Sequence, residues 1–309
     1  MKRIYFIYNP RSGKGTIVSK VTYIINALTE AGYEVTVRPT QKPLDAMETA
    51  ARICGEKFPE YQFILCSGGD GTLNEVISGV MESEHKLPVA YIPSGTTNDF
   101  AHSLNIPDDT EEAVQSVLSG RCVPVDIGSF NDKYFTYIAA FGAFTEVSYE
   151  TPQQYKNIFG HAAYILEGMK HIKNIHSYNL TVTYDGTTVT DNFIFGMISN
   201  TAYVGGLLSM NNFSLDDGMY EVTLIKTPGN PIELQRVFSS LLNISQDIDT
   251  EHVLYFKTSD IRIECNSEIM WTIDGEYGGD QRTVHIHNNQ KAINFLTKTE
   301  SIPEIELTR

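Results

Sequence analysis

Read from the amino terminus, apolar positions recur first with a period of two and then with a period near 3.6, and the two periods alternate. Arg3 to Tyr8 reads as a strand, Asn9 to Thr16 as a polar loop with glycines, and Ile17 to Ala31 as an amphipathic helix followed by Gly32. The alternation continues with strands at Glu34 to Arg38, Phe63 to Cys66, Val89 to Ile92 and Val123 to Ile127. Helices fall between them at Leu44 to Glu56, Leu73 to Met81 and Glu111 to Ser119. Such a grammar predicts a parallel α/β sheet. Ligands of these sheets sit on loops leaving the carboxyl ends of strands, and three loops here occupy such places.

Beyond Gly128 the pattern changes to short strands with turn signals. Tyr178 to Tyr184, the turn Asp185-Gly186, Thr187 to Thr190, Phe193 to Ser199 and Tyr220 to Lys226 read as antiparallel β. Further strands are expected at Val253 to Lys257, Ile261 to Glu264, Ile269 to Ile273 and Val284 to His287, with one helix from Ile232 to Leu242. The second half is therefore expected to be sandwich-like. Residues 157–175 carry helical periodicity, with aromatic and basic side chains along them, and 301–309 reads as a frayed tail.

The 309 residues are 41% hydrophobic and 20% charged, a globular composition with room for one large or two ordinary domains. No apolar run approaches the roughly 18 uncharged residues of a membrane span, and Ile4 to Tyr8 is too short for a signal sequence. A cytoplasmic protein is expected. Cys54, Cys66, Cys122 and Cys265 are widely spaced and lack histidines at metal-ligand intervals, which points to buried free thiols. The net charge of −15 argues against nucleic acid as a partner and against firm membrane attachment. Up to Pro43, seven basic residues stand against Glu30 and Glu34, a net of +5, so the remainder carries −20. A basic end suits an anionic ligand such as a nucleotide, and a solvated surface accounts for it equally well.

The first of the three loops, Asn9-Pro10-Arg11-Ser12-Gly13-Lys14-Gly15, lies between strand and helix, where free amides and the helix dipole favour phosphate. It is not a Walker A loop, which would need glycine at Tyr8 and Ser or Thr at Gly15, and an ordinary polar turn also explains it. In the second, Ser67-Gly68-Gly69-Asp70-Gly71-Thr72, three glycines in four positions are costly for mere connection. They permit backbone amides to approach a polyphosphate, while Asp70 can orient Mg2+ or its water shell and Thr72 can cap the next helix. The third, Pro93 to Phe100, concentrates hydroxyls, an amide and a carboxylate at a strand end. There, Thr97 or Asn98 as an N-cap with Asp99 in the first turn is the simpler alternative.

NPRSGKG from Asn9, GGDGTLNE from Gly68, PSGTTNDF from Pro93, VDIG from Val125 and DGEYGG from Asp274, in that order, resemble the diacylglycerol kinase catalytic-domain family, particularly its soluble bacterial lipid kinases. GGDGT alone is shared with NAD kinases and phosphofructokinase-like enzymes; the remaining motifs select the lipid-kinase branch. The resemblance implies a Rossmann-like, phosphofructokinase-like α/β nucleotide domain over 1–127 and a β-sandwich-like lipid-substrate domain over 128–290. A last segment, 291–309, would return to the first domain.

ATP would lie in the cleft between the domains. By the same resemblance Asn9, Pro10, Arg11, Ser12, Gly13, Thr40, Ser67, Gly68, Gly69, Asp70, Gly71, Thr72 and Thr96 fall at nucleotide-binding positions. Asp70, Asp99 and Asp126 match an acidic set that holds the catalytic magnesium through water. Asp274 matches the base on the acceptor hydroxyl, with Glu276 beside it. Without the resemblance, Asp274-Gly275 reads as a hairpin turn. Leu215 to Met219 resembles a structural magnesium site of the bacterial members, built from Asp217 and the carbonyls of Ser214 and Met219. Asn211-Asn212-Phe213 stands where members often carry Pro-Asp-Ala, one charge fewer near the ion.

Residues 157–175 resemble a segment near the lipid entrance, and either contact with a bilayer or packing on the second domain accounts for their pattern. The implied activity is ATP- and Mg2+-dependent phosphorylation of the free hydroxyl of a membrane lipid, diacylglycerol to phosphatidic acid in the first place. The protein would visit the inner face of the membrane transiently. A kinase of a soluble acceptor, NAD kinase-like or sugar kinase-like, and a non-catalytic nucleotide or lipid sensor are the alternatives. If the chain self-associates, a two-fold homodimer is the commonest arrangement.

Overall fold

The computed structural model describes residues 2–13, 15–58, 60–143, 176–200, 214–230, 233, 237 and 251–298. The first half alternates as its periodicity predicts: β1 (Lys2–Tyr8), α1 (Ile17–Glu30), β2 (Tyr33–Pro39), α2 (Asp45–Gly55), β3 (Ile64–Gly68), α3 (Asp70–Met81), β4 (Val89–Pro93), α4 (Asp99–Ser103) and α5 (Thr110–Ser119). The strands run parallel in the order β2-β1-β3-β4. All five residues of β3 and of β4 are buried, as expected where helices cover both faces of a parallel sheet. α1 turns Ile17, Ile24 and Leu28 into this core, a spacing that keeps one stripe inward.

Two helix starts differ from expectation. α3 opens at Asp70 with Gly69 as its N-cap, ahead of the expected Leu73, so Thr72 lies in the first turn and caps nothing. α2 opens after Leu44, whose φ of 65° is left-handed, and no side chain of its own caps it. Glu75 of α3 caps it from outside, accepting from Leu44 N at 2.9 Å and Ala46 N at 3.2 Å.

The second half is antiparallel: β5 (Arg121–Phe130), β6 (Lys133–Phe135), β7 (Ile138–Gly142), β8 (Tyr178–Tyr184), β9 (Thr187–Ser199), β10 (Tyr220–Lys226), β11 (Val253–Thr258), β12 (Asp260–Ile273) and β13 (Glu276–Thr297). β6 and β7 were not foreseen. β9 and β12 are each one strand where two were expected, because β7 and β8 lie end to end between them and pair with both. β10 and β11 extend the far side. A separate core, around Trp271, Phe130 and Phe141, fills this half.

β13 is far longer than the expected Val284 to His287. Its first part pairs with β12, and its last part, Ile293 to Thr297, pairs with β5. Phe295 and Leu296 then run parallel to Val89 and Ala90 of β4, so the strand carries the chain back beside the first sheet. The register shifts between Asn289 and Ile293, where Lys291 has a positive φ of 53°. Among the free cysteines, Cys54 and Cys66 are buried as expected, but Cys122 is exposed at the start of β5. Of the expected helix 232–242 only Glu233 and Val237 are described, both helical; 157–175 and 301–309 lie outside the described residues. Among the described residues no helix is long and apolar enough to cross a membrane.

Candidate active site

The three loops at the carboxyl ends of β1, β3 and β4 interlock. Asn9 N donates to Ser67 O at 2.8 Å, and the Asn9 side chain donates to Thr72 Oγ1 at 3.0 Å while accepting from Arg11 N at 2.9 Å. The Ser12 and Ser94 hydroxyls share a hydrogen bond of 2.7 Å, and Ser94 N donates to Gly68 O at 2.8 Å. Glycine is required where the loops touch. A Cβ at Gly95 would stand 2.5 Å from Gly69 Cα, and one at Gly13, whose φ is 53°, would stand 2.6 Å from Ser94 O. Asn98, left-handed with φ 54°, is the N-cap position of α4 but turns its Oδ1 back to Gly95 N at 2.9 Å. The outcome is a platform of bare backbone at the start of α3, where amides and dipole favour an anion. Arg11, Gly13 and Thr96 are exposed beside it, and Thr40 N donates to Tyr8 O at 2.9 Å on the neighbouring strand end.

Three carboxylates gather at that platform: Asp70 and Asp99 at the starts of α3 and α4, and Asp274 from the second half. Asp70 Oδ1 accepts from Phe100 N at 3.4 Å, and its carboxyl is pushed up to about 6 by burial first, then by the charges of Asp99 and Asp274. Asp274 is buried at the β12–β13 turn, yet its oxygens are well supplied. Oδ2 accepts from Thr136 N at 2.7 Å, Thr136 Oγ1 at 2.8 Å and Asn74 Nδ2 at 2.8 Å; Oδ1 accepts from Tyr137 N at 3.0 Å and Ile138 N at 3.1 Å. Burial pushes this carboxyl up, and the amides of Thr136, Tyr137 and Ile138 with the Thr136 hydroxyl pull it back, burial being the larger influence. Asp274 and Gly275 have φ of 48° and 80°, as the hairpin reading requires. The Tyr137 hydroxyl donates to Asp99 Oδ2 at 3.4 Å and is pushed well above its ordinary range by burial and then by Asp274, Asp99 and Asp70, which keeps it protonated.

The donor set suits a divalent cation held through its water shell. Like charges crowd Asp70, yet among the described residues no three His, Cys, Asp or Glu side chains are grouped to ligate a metal directly.

Comparison with known proteins places the chain in a family. Residues 3–130 match the family model described as Diacylglycerol kinase catalytic domain, and 140–294 match the one described as YegS C-terminal NAD kinase beta sandwich-like domain. A diacylglycerol kinase of Bacillus subtilis (strain 168) is 33% identical over 281 residues, 90% of this chain and 91% of the relative. The chain belongs to the diacylglycerol kinase catalytic-domain family. One from Staphylococcus aureus (strain Newman) is 34% identical over 90% of this chain and 87% of its own. A solved structure from Bacillus anthracis str. Sterne, provisionally named a diacylglycerol kinase, superposes with a TM-score of 0.82 at 25% identity, covering 97% of this chain and 96% of that one. The α/β fold followed by a β-sandwich-like half is thus the fold of the family.

Within this family member, Asp70, Asp99 and Asp274 come within mutual electrostatic reach, and Glu276 is exposed near Gly71, whose Cβ would stand 3.4 Å from Glu276 Oε1. Asp126 is used differently. Its oxygens accept from Gly218 N and Lys291 N, each at 2.7 Å, which staples the 214–219 turn to the bend in β13. In that turn Asp217 accepts from Met219 N at 2.9 Å and lies 3.9 Å from Lys257 Nζ, while Ser214 donates to Asp216 at 2.7 Å. Lys257 Nζ pairs closely with Glu221 Oε1 at 2.7 Å and only skirts Asp217, so Ser214, Asp217 and Met219 share a turn held by its own hydrogen bonds and by Asp126. Asn211 to Phe213 lie outside the described residues.

Sequence reasoning missed Asn74, Thr136 and Tyr137. Asn74 was findable, because it lies in GGDGTLNE four residues after Asp70 and so on the same helix face. Thr136 and Tyr137 carry no sequence signal, since much of their part is played by backbone amides.

Proposed function

We propose that this protein transfers the γ-phosphoryl group of ATP to the free hydroxyl of a membrane lipid, diacylglycerol first among them, giving phosphatidic acid. The observation that supports it is the meeting of a glycine-walled anion platform, with Asp70 and Asp99 beside it, and the buried Asp274 from the other half of the chain. We assign the first wall to a unit of 1–127 joined by 291–309, and the second to 128–290.

In this reading the ATP phosphates rest on Asn9 to Gly13, Thr40, Ser67 to Thr72 and Thr96. Asp70 and Asp99 would hold magnesium through its water shell, and the ion would supply neutralisation of phosphate charge when bound. Asp274, with its carboxyl raised by burial, orients the acceptor hydroxyl and accepts its proton as one of its five donors yields its place, and exposed Glu276 is the nearby carboxylate that carries the proton onward. The acceptor oxygen forms a bond to the γ-phosphorus as the bond to the β–γ bridging oxygen breaks, and ADP leaves with that electron pair. Asp126 supports the site by fixing the bend at Lys291.

The test is phosphoryl transfer from labelled ATP to a panel of diacylglycerol, ceramide, monoacylglycerol and undecaprenol in mixed micelles, with NAD and sugar phosphates as soluble controls. Label on diacylglycerol, abolished in Asp274→Asn, supports the reading. Label on another lipid keeps the mechanism and replaces the substrate, and label only on NAD favours the soluble-acceptor alternative that the second family description raises.

A further inference from the structure

The cleft is tied across by two hydrogen bonds that run in opposite directions. Asn74, on α3 in the first half, donates through Nδ2 to Asp274 Oδ2 at 2.8 Å and to Tyr134 O at 3.1 Å. Tyr137, in the second half, donates its hydroxyl to Asp99 Oδ2 at 3.4 Å and its backbone N–H to Asp274 Oδ1 at 3.0 Å. Each side therefore supplies a donor to the other side's carboxylate. The Tyr137 ring is buried, and its own carbonyl accepts from Asn200 N at 2.9 Å, so the hydroxyl projects from fixed backbone. Residues 131–139, which include Tyr137, lie between the two stretches matched by the family descriptions.

We propose that Asn74 and Tyr137 are positioning residues that together form a reciprocal latch, setting the spacing between Asp70 and Asp99 on one wall and Asp274 on the other. The proposal rests on the kinase reading for its chemistry. In-line transfer needs the reacting atoms about 3–3.5 Å apart, and a misplacement of about 1 Å costs roughly 100-fold in rate. ATP, in that reading, sits on the first wall alone. Loosening the latch should therefore lower kcat and spare ATP binding.

The experiment compares Tyr137→Phe, which removes one oxygen and keeps the ring, with Asn74→Ala and the double variant, all in the full chain. Each single change is expected to lower kcat about 10-fold with the KM for ATP within about 2-fold, and the double to fall about as far as the worse single. In the same variants without substrate, amide hydrogen exchange at Thr136, Tyr137 and Ile138 is expected to rise by about 10-fold. If Tyr137→Phe does not fold, Asn74→Ala carries both measurements. Unchanged kcat, a KM for ATP that rises as far as kcat falls, multiplied losses in the double variant, or unchanged exchange overturns the latch. Wild-type protein that phosphorylates no acceptor, with exchange still raised in both variants, removes the kinase reading and leaves the latch standing.

Discussion

The two walls of the cleft hold their aspartates by opposite means. On one wall, Asp70 is half-buried beside like charge, held by backbone bonds from Phe100 N at 3.4 Å and from Asp99, and its carboxyl rises to about 6. On the other, Asp274 is more deeply buried but accepts five bonds of 2.7 to 3.1 Å. Donors fix a carboxylate in place and favour its charge, whereas neighbouring carboxylates leave it short of positive charge. In the proposed reaction the first wall would receive a cation and its phosphates, and the second would stay where it is while a hydroxyl comes to it.

The largest effect should come from breaking the second wall. Asp274→Asn keeps the shape but turns an N–H toward a ring of donors and removes the base. We expect kcat to fall about 1,000-fold, within the range for lost acid–base catalysis, with the KM for ATP within about 3-fold. Steady-state kinetics decide, and an equal loss of ATP affinity would show that the two walls are not separable.

Breaking the first wall should act on nucleotide binding. In Gly95→Ala the new Cβ would meet Gly69 Cα at 2.5 Å and Asn98 Oδ1 at 2.7 Å, so the loops must part. Overpacking of this kind costs about 1–3 kcal/mol, or roughly 5- to 150-fold in ATP affinity if it falls on the bound state. Gly69→Ala meets its nearest atom at 3.3 Å and should cost less. Calorimetric titration with ATP ranks the two, and the reverse order would show that the phosphates approach Gly69 more closely than Gly95 does.

How far this contrast could be read from the sequence follows the same division. The first wall is local: β3, its glycines and α3 are consecutive, so Ser67 to Thr72 announced the turn and the bare backbone it presents. The second wall is assembled from β6, β7 and β12, and Asp274 depends on amides of residues 136–138, which no side-chain pattern reveals. β13 was hidden for another reason. Asn288 to Lys291 is a polar run that reads as a loop, yet its side chains and amides bond to the rest of the fold: Asn288 to Met219 O, Asn289 to Ile127 O and Lys291 N to Asp126.

The charge deficit at Asp70 can be measured without ligand. Its folded carboxyl is pushed up to about 6 by burial, Asp99 and Asp274, from an ordinary value of 3.8. The folded state therefore binds this proton more tightly than the unfolded state does. The stabilisation is full below about pH 4 and is lost as pH rises through about 6. Asp70→Asn should escape that loss and gain about 2 kcal/mol over wild type at pH 7, with little difference at pH 4. Urea unfolding of both proteins at the two pH values is the check; an equal gap at both would assign the shift to something other than this carboxyl.

The smallest effect should come from Glu75, five residues beyond Asp70 on α3. Like Asp274 it accepts backbone amides, those of Leu44 and Ala46 at 2.9 and 3.2 Å, but it does so to cap α2. Glu75→Ala removes that cap and should cost about 1–2 kcal/mol of stability, as loss of a helix cap does. The kcat should stay within about 2-fold, because loss of a cap leaves the transition state untouched. Denaturation and turnover measured on one preparation decide the matter. A loss of kcat approaching that of Asp274→Asn would mean that amide-held carboxylates matter here through the fold alone. Stability lost with turnover kept would mean that donors around Asp274 serve the chemistry as well as the hairpin.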